Sequence, residues 1–150
     1  MEGTLMAMLT PEMISHLSMT YPESFLRWCR EPTHCRLLLS FHARGDHRTA
    51  SGDWIEFRLR LTDDRIAELA FSFEGRPVLL AAGEAVCSLG TGLSVTAALR
   101  ACTEEAIAAE LGELPDADAW NLMLVRESLR NCLLDAVAVS RQPWKGPYVK

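Results

Sequence analysis

The corner Phe73-Glu74-Gly75-Arg76-Pro77 is where this sequence first suggests chemistry. An alternating apolar pattern ends at Gly75, and a proline suited to the first turn of a helix follows two residues later. Arg76 sits between them, at the kind of exposed loop position that carries ligand or catalytic residues. A guanidinium has five N–H donors and no lone pair, so it suits an anion and not a metal. The helix start beyond it adds free N–H groups that favour negative charge, although Pro77 removes one of them.

The soft and titratable residues are more scattered. The chain has five cysteines, Cys29, Cys35, Cys87, Cys102 and Cys132, with no CxxC pair and an odd total. Neither a disulfide framework nor a zinc knuckle follows from that spacing. Cys102 and Cys132 fall on apolar stripes and Cys87 follows Val86, so these three read as small core hydrophobes. His34 stands beside Cys35, and His42 and His47 lie in a polar stretch. There is no GxGxxG, no P-loop, no GxSxG elbow and no HExxH. No nucleophile–base pair is visible, so the sequence gives no ground for an enzyme.

The chain must then build elements that hold the corner. Its 150 residues suffice for one domain with a core, and 49% apolar with 23% charged residues is ordinary globular composition. A net charge of -5 argues against nucleic acid. The start of the chain has no basic segment before an apolar run and no membrane span, which predicts a cytoplasmic protein.

The spacing predicts a helix from Pro11, capped by Thr10, and a second over Glu23–Arg30. A strand is predicted in CRLLLSFHAR, followed by a polar loop, GDHRTASGD. WIEFRLRL alternates with period two, TDDR is a turn, and RIAELAFSF alternates again, which makes a β-hairpin. Three helices are then predicted: one from Pro77 to Gly90 or Gly92, one from the Ser94 cap to Pro115, and a last one in DAWNLMLVRESLRNCLLDAVAV. The tail, residues 140–150, reads as irregular. Strands followed by helices imply an α+β fold, with helices on one face of a small antiparallel sheet.

The run SGDWIEFRLRLTDDRIAELAFSFEG, with the helix after it, resembles the NifU/IscU type of iron–sulfur cluster scaffold. EPTHCRLL stands where that family has Asn-Pro-Arg-Asn, and GLSVTAALRACTEEAIAAELGELP is similar to its Gly-Lys-Ser/Thr segment ending in Leu-Pro. The resemblance implies one NifU/IscU-like domain with the architecture shared by SufE and NifU proteins. It also implies three cysteine ligands, and here those positions read Ser51, Arg76 and Arg126, with Asp53 of the family's Cys-Gly-Asp retained. Ser51 likewise leaves a SufE-type sulfur acceptor without its nucleophile.

The resemblance therefore implies a degenerate, non-catalytic domain with no cofactor, acting as a binding or regulatory partner of a cysteine desulfurase or other assembly proteins. Two further readings stay open. One is an iron–sulfur cluster or zinc held by displaced ligands, His34, Cys35, His47, Asp53 and Cys132. The other is a phosphate, sulfate or carboxylate at a corner where Arg76 and Arg126 meet. In the plainest case Asp53 pairs with Arg76 or Arg126 as a structural salt bridge.

Overall fold

The computed structural model describes residues 9–141. Helix α1 covers Pro11–Leu17 and α2 Glu23–Arg30; strands β1 (Ala43–Arg48), β2 (Trp54–Thr62) and β3 (Arg65–Glu74) follow. Then come α3 (Pro77–Gly90), α4 (Val95–Ala101), α5 (Glu104–Leu111), a 3-10 turn at Asp116–Asp118 and the long helix α6 (Ala119–Arg141). The fold is α+β, with one antiparallel sheet in the order β1-β2-β3.

The hairpin pairs Ile55 with Phe73, Phe57 with Phe71 and Leu59 with Leu69, so period two places all six in the core. Its turn uses Asp63 and Asp64, both at positive φ (52° and 61°), the backbone that matches the twist of the strands. Helix α3 runs through the centre, with eleven of its fourteen residues buried. Helix α6 lies along β1 and β2, burying Leu122, Val125, Leu129, Cys132 and Ala136. On the opposite face of the sheet, Arg58 donates to Leu38 O (3.1 Å) and Arg60 to Ser40 O (3.1 Å), which holds the preceding loop.

Three elements differ from the sequence-based expectation. Most of the strand expected in CRLLLSFHAR is a loop with one bridge, Cys35 to Phe71; only its last two residues, Ala43 and Arg44, are in β1, which continues through residues 45–48 of the expected loop. Only Ala43 and Gly45 of β1 face inward, so no apolar alternation announces it. The helix expected from Ser94 to Pro115 is two helices, because Thr103 caps a new one by accepting from Ala106 N (3.1 Å). Ser140 and Arg141, expected in the irregular tail, complete α6, and the rest of that tail lies outside the described residues. No helix among the described residues is long and apolar enough to cross a membrane.

Candidate functional site

The loop before β2, the corner before α3 and the start of α6 meet at one end of the molecule. They enclose a cavity of about 590 Å³ lined by Ser51, Asp53, Arg76, Asn121, Trp120 and His47, among others. Each wall has a local cause. The 49–53 loop closes on itself through Thr49 N to Asp53 O (2.8 Å) and Gly52 N to Thr49 O (3.0 Å), and the Ser51 and Thr49 hydroxyls lie 2.9 Å apart. Gly75 turns the chain into α3 at φ +147°, and a Cβ there would press on Leu79 and, at 3.0 Å, on the Asp53 carboxyl carbon.

Arg76 is the cap residue of α3, and it does not pair with Asp53. Its Nε donates to Asp118 Oδ1 (2.8 Å), and the Tyr21 hydroxyl donates to Asp118 Oδ2 (2.6 Å). Asp118 is fully buried, while the Arg76 side chain is 48% exposed. Burial pushes the Tyr21 hydroxyl up to about 12, and the bond to Asp118 adds to the rise. The Asp118 hydrogen bond likewise raises Arg76 above its ordinary value. The arginine thus ties the start of α3 to the turn before α6 and to the segment before α2.

Arg126 does not reach this cavity. It donates to Glu127 (2.9 Å) and lines a separate cavity of about 260 Å³ between α4 and α6, with Cys102 and Leu129. The reason is helix phase: α6 starts at Ala119 and lines the cavity with Trp120, Asn121, Met123 and Leu124, so the cavity face is centred near Asn121. Five residues further is about 140° round the helix. The expected pairings of Asp53 with either arginine, and the pocket with two arginine forks, are therefore not formed.

The displaced-ligand set is not assembled either. His34 lies 2.9 Å from Glu84, which is 1% exposed and also accepts from the backbone N–H groups of Thr33, His34 and Cys35 at 3.2, 2.8 and 2.8 Å. Cys132 is buried under β1, His47 and Asp53 are at the cavity, and no group of three or more His, Cys, Asp or Glu among the described residues is placed to hold a metal. All five cysteines are buried, and burial raises every thiol, Cys29 and Cys35 to about 12 and Cys102 to about 11.

Asn121, Trp120, Asp118 and Glu84 were missed by sequence reasoning. The available signal for Trp120 and Asn121 was the start of the last helix, Asp118-Ala119-Trp120-Asn121, which sequence reasoning read only as a helix. Nothing local marks Asp118 or Glu84.

The sequence matches the family described as NifU-like N terminal domain over residues 20–138, and the chain belongs to that family. Among solved structures, it is similar to the N-terminal part of a nitrogen-fixing NifU-like protein from Brucella abortus: 13% identity, TM-score 0.61, 78% of this chain and 94% of that one. It is also similar to a putative iron–sulfur cluster assembly scaffold protein for the SUF system from Fervidobacterium islandicum AW-1: 14% identity, TM-score 0.61, 83% and 99% covered. A hypothetical protein of 20% identity aligns with TM-score 0.59 over 80% of this chain and 98% of its own. A search of curated proteins gave no match.

Proposed function

We propose that this NifU-like domain serves iron–sulfur cluster assembly in the cytoplasm as a binding or regulatory partner, without enzymatic activity and without building clusters on its own thiolates. The donor set of the cavity carries this reading. Iron–sulfur clusters, the cargo of scaffold proteins, are held by thiolate. The cavity offers a hydroxyl, a carboxylate, a carboxamide, an imidazole and a guanidinium, and the buried sulfurs lie elsewhere. Guanidinium and carboxamide are poor replacements for soft ligands. The residues present therefore do not fit a cluster.

What the domain keeps is the family's shape. A shape without its chemistry suits recognition by the proteins that handle such domains, the cysteine desulfurase first among them. The test is capture of the purified cysteine desulfurase of the same cells by the immobilised full chain. Retention above a bare-resin control is the expected result. Absence of retention at tens of micromolar enzyme would overturn the reading.

A further inference from the structure

We propose that the cavity beside Arg76 receives an arginine side chain presented by a partner protein. Asn121 is only 6% exposed and its carboxamide makes no hydrogen bond among the described residues; the one wholly buried side-chain nitrogen or oxygen without a partner there is Arg58 Nε, so the Asn121 amide opens onto the cavity that it lines. An amide with free donor and acceptor on a cavity wall is available to a guest that can match both. The half-buried Asp53 carboxylate also has no hydrogen bond or ion pair there and lines the same space. On the same wall Trp120 is 71% exposed, after Met19 and Leu39 the most exposed of the large apolar side chains among the described residues.

Charge decides what fits. Arg76 is balanced by the buried Asp118, so the charge left over in the cavity is that of Asp53. An anion would meet this carboxylate, and a neutral guest would leave it unpaired. A guanidinium places its fork on Asp53, has donors to spare for the Asn121 oxygen and the Ser51 hydroxyl, and stacks its plane on the Trp120 ring. An ammonium would satisfy the charge but neither the fork nor the stacking.

The inference deepens the partner-binding reading and fails separately from it. The test is ¹H–¹⁵N NMR on the full chain, titrated with N-acetyl-arginine-amide and, in parallel, with its uncharged isostere N-acetyl-citrulline-amide. Saturable shifts of the Asn121 side-chain amide and the Trp120 indole N–H are expected with the arginine compound alone. Asp53→Asn should weaken the arginine compound's binding roughly tenfold, the loss of one charge-assisted pair, while the remaining spectrum stays in place. An equal response to the citrulline compound, or unchanged binding by Asp53→Asn, overturns the proposal. So does a response of those two signals to phosphate but not to arginine. If the arginine compound binds as expected and the desulfurase is not retained, only the assembly-partner reading falls. Retention without arginine binding removes only this inference.

Discussion

Arg76 and Asp118 together explain why an arginine stands at the exposed corner between β3 and α3. The guanidinium donates to a carboxylate with no exposure, so removing it leaves a buried charge held by the Tyr21 hydroxyl alone. Arg76→Ala is expected to cost about 1.5–3 kcal/mol in urea unfolding, the range for a charge-assisted hydrogen bond. Unchanged stability would show that the pair is idle. The same network predicts a pH effect. The Tyr21 hydroxyl titrates near 10 when unfolded and at about 12 when folded, so the folded state favours its proton. Its contribution is complete below pH 10 and is lost as pH rises toward 12. Tyr21→Phe removes that part of the alkaline loss, measurable as a shallower fall of stability between pH 10 and 12. The corner itself was legible from Gly75, Arg76 and Pro77. The role of Arg76 was not, because its partner is 42 residues away and no local pattern encodes the pairing.

The crossing of α6 over β1 shows how an element acquires its place. β1 is an edge strand, and α6 covers that edge with polar side chains. Asp135 accepts from Arg44 N (3.0 Å), Asn131 donates to Asp46 O (3.0 Å), and the Ser128 hydroxyl is shared between Gly45 O of β1 (3.3 Å) and Ile55 O of β2 (2.6 Å). The open strand edge is thus closed to pairing with another chain. The approach is so close that a Cβ on Gly45 would overlap the backbone of Asn131 and Cys132. Gly45→Ala is expected to cost about 3 kcal/mol or more, because a backbone clash cannot be relieved by a rotamer change. Near-native stability in thermal unfolding would contradict this packing. Here the sequence was least informative: Gly45 looked like a loop residue, and its task as a contact surface depends on α6, some 85 residues further on. The hairpin, in contrast, was legible because period two and the Asp-Asp turn are both local. Thr103 and the two glutamates after it could have marked the break between α4 and α5, but the apolar spacing on either side read as one continuous helix.

As a whole, the chain belongs to the NifU-like N terminal domain family, and the cavity at its Arg76 corner is lined by Ser51, Asp53, Arg76 and Asn121 among others, with no cysteine. Fold class and family were legible because the order of hairpin and small-residue helix is written in local periodicity. The place of Arg126 was not, because it depends on helical phase, which turns Arg126 toward the space between α4 and α6 and away from the cavity that Asn121 lines. The account stands on the absence of usable thiolate at the cavity, and metal content tests it most directly. The full chain, purified anaerobically from cells supplied with iron and zinc and then incubated with ferrous iron, sulfide and thiol, is to be desalted and assayed for both metals. Essentially no iron and no zinc per chain is the predicted result, with no cluster absorbance. About one metal or more per chain, surviving desalting, would contradict the account and show that residues other than the family's three corners hold the cargo.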